Sequence, residues 1–346
     1  MRKLASIRKI SAISPIEGAD AIELAVVDGW KIVVKKGEFG VGDLAVYCEI
    51  DSWIPHELAP FLSRGQAPRE YSGVKGERLR TVRLRGQLSQ GLLLPLAVAK
   101  NGLVPLEEGD DVTEMLGIQK WEAVIPAQLA GSVRGNFPSF IRKTDQERCQ
   151  NFLTQIFIDN RESQYEVTVK LDGSSCTIYH RDGELGVCSR NLELKIDEEN
   201  RNNSLVGMFY KYNLGDSLVR IGRNIALQGE IMGPGVQGNR EALKECKFFI
   251  YDIYDIDAGE YLNPTERHEV LSLLRSHGSA EIEHVPVLHS NTTLEELGIS
   301  CIEHLLDFAE GPSLVNAVRE GLVFKRADGK FSFKAISNKF LLKGGE

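Results

Sequence analysis

Along the first hundred residues, apolar and polar positions alternate in short runs with the period of a half-buried strand. Ala21–Val27, the turn pair Asp28-Gly29 and Trp30–Lys35 read together as a hairpin. Gly40–Asp43 punctuates before a strand over Leu44–Ile50, Leu79–Arg85 alternates, and Gly91–Leu96 is a further strand. The second half mixes the two periods. Glu166–Lys170 alternates around Val167 and Val169, and Cys176–His180 and Leu185–Arg190 face each other across Asp182-Gly183. Residues 204–221 have helical spacing, Ile225–Ile231 and Phe248–Tyr254 are strands, and helices are expected at 264–276, 293–298 and 301–310. Gly321–Arg326 and Lys330–Ala335 are the final strands.

About five short strands with turns between them predict a small barrel of the OB type in the first part. Such barrels hold nucleic-acid strands with basic and aromatic side chains. Trp30, Tyr47 and Trp53 either serve that purpose or fill the barrel. Pro105, Pro126, Gly131, Gly135 and Pro138 mark a boundary. We therefore divide the chain into a domain over 1–125, a linker over 126–140 and a second domain over 141–346. Thr144 and Glu147 have capping-box spacing, with apolar residues following from Cys149 to Phe157, so a helix is expected to open the second domain.

Composition narrows the class of protein. Hydrophobic residues make up 42% and charged ones 26%, and no apolar run approaches the ~20 residues that span a bilayer. The N-terminal stretch is broken by charge too early for a signal peptide, so an intracellular, cytoplasmic or nuclear, protein without a membrane partner is expected. The six cysteines are scattered without a CxxC, which suits a reducing compartment and suggests neither a disulfide framework nor a zinc site. The net charge of -8 argues against nucleic acid, but its distribution does not. Residues 1–150 carry 20 Lys+Arg and 19 Asp+Glu, so nearly all the excess acid lies beyond them. Within that part Arg64, Arg69, Lys75, Arg78, Arg80, Arg83 and Arg85 face only Glu70 and Glu77. The cluster is either a solvated loop or a phosphate-tracking surface.

The candidate chemistry centres on Lys170-Leu-Asp172-Gly173, where a lysine ends a strand beside a carboxylate and a turn. Two readings stand: a surface ion pair next to a tight turn, or a nucleophile that attacks the α-phosphate of a nucleotide. The second needs a means of deprotonating an amine of pKa ~10.4, cations around the phosphate and carboxylates for a divalent ion. Glu230 and Glu320, each beside a glycine, and Lys325 and Lys334 on the last strands are of the required types. Gly233-Pro-Gly235-Val-Gln-Gly238 fits GxGxxG literally, but lacks the following helix and is read as a loop. There is no P-loop motif.

Taken in order, these residues resemble the covalent nucleotidyltransferase superfamily of ligases and capping enzymes, and within it ATP-dependent RNA ligases of the Deinococcus and Naegleria type. Lys170–Gly173 matches the nucleophile motif, and Ser189-Arg190-Asn191 is similar to the next. Gly229-Glu230-Ile-Met-Gly-Pro-Gly-Val-Gln-Gly-Asn239 is the most specific match. Phe249–Asp252, Glu320–Lys325 and Phe333-Lys334 match the remaining motifs. The last motif departs from the family pattern, because a second lysine two residues from Lys334 is absent. Few residues follow it, so the OB-like part precedes the motifs, unlike the arrangement in DNA ligases and capping enzymes.

The resemblance implies an α+β fold, an N-terminal OB-like β-barrel followed by a nucleotidyltransferase (ATP-grasp-like ligase) domain of antiparallel sheets and helices. It implies an ATP-dependent ligase that seals RNA 3′-OH and 5′-phosphate ends or nicks through lysyl-AMP on Lys170, with Mg2+ or Mn2+ as cofactor. Asp172, Gly173, Arg190, Glu230, Tyr251, Lys325 and Lys334 would hold the nucleotide, with Tyr251 stacked on adenine. Asp172, Glu230 and Glu320 would serve the metal. Arg190 and the front arginines Arg78, Arg80, Arg83 and Arg85 would hold a nicked RNA duplex, and the protein is expected to act as a monomer. The alternatives are a GTP-dependent capping guanylyltransferase and a non-catalytic OB-type RNA-binding protein.

Overall fold

At the Asp28-Gly29 turn both residues have positive φ, 49° and 81°, the geometry that matches the twist of a two-residue hairpin. It joins Ile22–Val27 to Trp30–Lys35, and Ala12–Pro15 completes that antiparallel sheet. A second sheet orders Ala5–Lys9, Leu44–Cys48 and Leu92–Pro95, and a third contains Ser52–Pro55, Arg69–Tyr71, Val74–Arg78 and Gln119–Lys120. The structure is a computed structural model and describes residues 3–99, 105–121, 132–144 and 146–343. Its contacts divide the chain into two units, Met1–Val124 with Leu341–Glu346, and Ile125–Phe340. Among the described residues no helix is long and apolar enough to cross a membrane.

In the first unit, apolar faces of the sheets enclose two cores, one around Ile7, Val46 and Leu94 and one around Trp30, Ile32 and Tyr47. Trp30, Tyr47 and Trp53 are only 1%, 1% and 2% exposed. The polar tips of two of them are turned to the backbone: Tyr47 donates to the Gln90 carbonyl at 2.8 Å and Trp53 to that of Val74 at 3.0 Å. These aromatics fill the barrel, which excludes them as stacking surfaces. The strand expected over Leu79–Arg85 is interrupted, because Leu79 pairs outside the ladder with Ser52 and Asp51. Pairing resumes at Val82–Leu84, and Arg85 and Gly86, with φ 48° and 82°, turn the chain into Gln87–Ser89. Arg80, Arg83 and Arg85 are exposed. Arg78 is engaged instead, its Nε 3.0 Å from Asp51 and its guanidinium 3.9 Å above the Trp121 ring.

The second unit holds two sheets, antiparallel except at one short edge pair. The larger runs Val133–Asn136, Leu192–Leu194, Glu184–Cys188, Ser174–Arg181, Ile225–Met232, Lys247–Asp255 and Glu260–Tyr261, with Glu283–His284 pairing parallel to Lys247–Asp255. The smaller runs Val287–Thr292, Tyr165–Lys170, Gly321–Arg326 and Ser332–Ile336. Helices Ser204–Lys211, Leu214–Ile221 and Pro264–Ser276 pack on the larger sheet through Val206, Leu214, Leu218, Val270 and Leu274. Another core, including Val167, Val169, Phe324 and Phe333 from the smaller sheet and Phe249 from the larger, takes in helix Ile302–Phe308.

Three local expectations are corrected. Among the described residues the helix expected from Thr144 is not continuous: a 3-10 turn at Cys149–Asn151 is followed by a short helical stretch over 153–159 that is π-helical at Gln155–Asp159. Tertiary partners compete for its first turn: the Thr144 hydroxyl accepts from Tyr251 at 3.0 Å, and the Lys334 N–H donates to the Glu147 carbonyl at 2.8 Å. The helix over 204–221 is two helices, separated at Asn213, which is left-handed with φ 50°. Residues 293–298 form turns. Residues 126–131 of the expected linker lie outside the described residues, while Val133–Asn136 is an edge strand of the larger sheet.

Candidate active site

Register across the smaller sheet puts Lys170 opposite Gly321. A Cβ at position 321 would collide with the Ala335 carbonyl of the next strand, so only glycine permits this approach. Glu320, one residue upstream, is thereby delivered to the end of the Lys170 strand, and its Oε2 lies 2.7 Å from Lys170 Nζ. The turn after Lys170 carries the chain from the smaller sheet into the larger, where Ser175 pairs with Glu230. Gly173 donates its N–H to Glu230 Oε1 at 3.0 Å, and a Cβ on Gly173 would run into the Ile231 carbonyl. The site thus forms at the seam between the two sheets of this unit.

Tyr251 reaches the seam through a bulge. In the ladder between Ile225–Met232 and Lys247–Asp255, Gln228 pairs with Asp252 and Gly229 with Ile250, leaving Tyr251 as the extra residue. A bulge bends its strand and re-aims a side chain. Here the phenol comes within 3.4 Å of Ser175 Oγ and 3.0 Å of Thr144 Oγ1.

Electrostatically the cluster is rich in carboxylate. Asp172, Glu230 and Glu320 all act on Lys170, and together they outweigh the cost of burial, so the ammonium is held above its ordinary pKa. Burial raises the Glu230 carboxyl to about 8, Lys170 opposing and Glu320 and Asp172 adding to the rise. Asp172 is also raised, by burial and then by Glu320, although Arg240 and Lys170 pull it down. Arg240, which the motif reading missed, places Nε 3.0 Å from Asp172 Oδ2 and its guanidinium 4.5 Å above the Phe340 ring. It follows directly on the Gly229–Asn239 motif, and its adjacency was the one available signal.

Lys325 takes a different part from the phosphate contact expected of it. It is 5% exposed, and its ammonium is bound by Asp252 Oδ1 at 2.8 Å and by the Tyr251 carbonyl. Arg267 joins this buried group through Glu166 and lies 3.8 Å from Asp252. Burial, with Arg267 adding to it against Asp252, lowers the Lys325 ammonium to about 8. The network ties the Lys170 strand, the Tyr251 strand, Gly321–Arg326 and helix Pro264–Ser276 to one another. Lys334 is half-buried opposite Val323 on the last strand. Arg190 is exposed in the turn between Glu184–Cys188 and Leu192–Leu194.

Among the described residues no three His, Cys, Asp or Glu side chains form a ready cage for a bare ion. The Asp172, Glu230 and Glu320 cluster nevertheless fits a divalent ion held through its water shell. Its surplus negative charge adds to the rise of the Glu230 carboxyl, and a cation beside it would relieve that.

Known proteins resemble the chain over both units. A family model described as an OB-fold domain matches residues 4–96, and one described as RNA ligase matches residues 163–336. Among solved structures, a Naegleria gruberi RNA ligase variant with AMP and Mn is 49% identical, covering 99% of this chain and 99% of that one, with a TM-score of 0.83. A second variant of that enzyme, with ATP and Mn, is 49% identical over 99% of each chain, also at TM-score 0.83. The same enzyme with PPi matches at 49% identity over 99% of each chain and TM-score 0.82. No curated protein sequence matches.

Proposed function

The chain belongs to the RNA ligase family as an ATP-dependent enzyme, and we propose that it seals RNA 3′-OH and 5′-phosphate ends through a lysyl-AMP intermediate on Lys170. The observation that carries this reading is the Lys170 ammonium 2.7 Å from Glu320, in a cluster with Asp172 and Glu230. A lysine so surrounded begins as an ammonium and becomes a nucleophile only when the charge around it changes. A divalent ion, Mg2+ or Mn2+, bound by Asp172, Glu230 and Glu320 through water would supply positive charge at the α-phosphate and offset the carboxylates that keep Lys170 protonated.

Lys170 Nζ then attacks the α-phosphorus of ATP, the bond to the β-phosphate oxygen breaks, and pyrophosphate leaves. The proton lost from the ammonium passes to Glu320, its nearest acceptor. In the second step a 5′-phosphate oxygen of RNA attacks the same phosphorus, the P–N bond breaks, and Lys170 regains a proton. In the third the RNA 3′-OH attacks the 5′-phosphorus and gives its proton to solvent, while the bond from that phosphorus to the bridging oxygen breaks and AMP departs with that oxygen. Tyr251, aimed by its bulge, supports an adenine site, and Gly173 lets the backbone approach the ligand. Lys334 and Arg190 are assigned to phosphates. The exposed Arg80, Arg83 and Arg85 are assigned to the backbone of a nicked RNA duplex.

Incubation with α-labelled ATP and Mn2+ should leave label on the wild-type protein and none on Lys170→Ala. Label from GTP in place of ATP would favour a capping guanylyltransferase. An adduct on the Lys170→Ala protein would refute the assignment of the nucleophile.

A further inference from the structure

Two adjacent residues outside the expected motifs connect to both of the carboxylates that flank Lys170. Arg240 binds Asp172 at 3.0 Å and lies on the Phe340 ring. Glu241, buried at 5% exposure, accepts the backbone N–H groups of Val315 and Asn316 at 2.7 and 3.0 Å through one oxygen, Oε2. Asn316 closes the connection by donating its side-chain amide to the Arg240 carbonyl at 3.3 Å. The segment that Glu241 holds leads within four residues to Glu320. Downstream, Arg319 binds the carbonyls of Phe308, Ala309 and Glu310, and Ser337 donates to the Glu320 carbonyl at 2.8 Å. The bracing segment is itself shaped: Asn239 bonds both backbone groups of Leu243, at 2.9 and 3.0 Å, and Ala242 is left-handed with φ 49°.

We propose that Arg240 and Glu241 form a brace that sets Asp172 and Glu320 on either side of Lys170, and that both are positioning residues for lysine adenylylation. This rests on the reading of Lys170 as the nucleophile. Asp172 lies between two strands and Glu320 lies where a loop enters the strand that begins at Gly321, so the course of the segment before each one bears on where its carboxylate sits. A buried carboxylate on two backbone amides is a costly element to place on a loop unless that loop must be held. Its position next to Arg240 puts the control of both carboxylates on one short segment. The brace acts through the two carboxylates.

The test compares single-turnover label transfer from ATP for wild type, Arg240→Ala, Arg240→Lys and Glu241→Leu, which keeps the bulk and removes the accepting oxygen, with manganese and ATP titrated separately. Arg240→Ala should raise the half-saturating manganese at least fivefold while moving that of ATP less than twofold, and Arg240→Lys should recover most of the loss. Glu241→Leu should slow label transfer at least tenfold. In the same protein without ATP or metal, hydrogen exchange at the Val315 and Asn316 amides should accelerate at least tenfold. A rise in half-saturating ATP with manganese unmoved would make Arg240 a phosphate contact and overturn the brace, as would unchanged exchange in Glu241→Leu. If the wild type forms no adduct, the ligase reading falls and this inference with it. A normal wild-type adduct with unaffected variants overturns the brace alone.

Discussion

Replacing Glu230 by Gln removes the charge while keeping an oxygen for the Gly173 N–H, so it imitates the protonated carboxyl. The carboxyl rises from 4.5 to about 8 on folding. A group raised in the folded state gives its full relative stability below the unfolded pKa and loses it as pH rises through the folded value. Between pH 4.5 and 8 the wild type should therefore become less stable relative to the Gln variant. The whole gap corresponds to roughly 5 kcal/mol at 1.36 kcal/mol per pKa unit. From pH 6 to 8.5 the part still to be lost is about 2–3 kcal/mol. At about 2–4 °C per kcal/mol for a unit of this size, that is a Tm advantage for Glu230→Gln growing by about 5–10 °C. The assay is calorimetric melting in chelator across that pH range, followed through the transition of the Ile125–Phe340 unit. Excess Mn2+ should shrink the advantage at pH 8.5, since it stabilises the ionised wild-type carboxylate. A melting difference independent of pH would refute this account of the raised carboxyl.

Asp252→Asn leaves the Lys325 ammonium buried beside Arg267 without its carboxylate, and should cost about 3–5 kcal/mol; a denaturation midpoint equal to wild type would argue against the buried network. Gly321→Ala forces a methyl group against the Ala335 carbonyl. It should cost about 1–3 kcal/mol of stability and, by shifting Glu320, most of the label transfer from ATP. Reversing Arg80, Arg83 and Arg85 to Glu should weaken binding of nicked RNA and reduce the slope of log K against log salt by about 0.9 for each phosphate no longer neutralised. An unchanged slope would remove these exposed arginines from the RNA surface.

Much of the architecture was legible because the signals are local. Alternation marked the Lys170 strand, Asp28-Gly29 and Asp182-Gly183 marked hairpins, and Asn263 with Glu266 forms an intact capping box at a helix that periodicity had located. The same logic failed at Thr144, where a capping-box pattern met a sheet edge and a tyrosine that took its hydroxyl. At Trp30 and Trp53 it could not decide, since an aromatic residue on an alternating strand has the same pattern whether its face is the barrel interior or the surface.

Taken alone, the sequence determined the order of strands, the lysine at a strand end, and the glycines that let backbone approach backbone. Those properties belong to short stretches whose conformation depends on the residues themselves. Only the tertiary structure decided what meets Lys170. Its partner Glu320 is 150 residues away, brought in by one register of one strand pair. The same non-local pairing placed Lys325 on Asp252, let Tyr251 bulge out of its ladder, and brought Arg240 to Asp172. Identical residue types in other registers would leave each of these charges in water, which is why the chemistry could be named from the chain but assembled only by the fold.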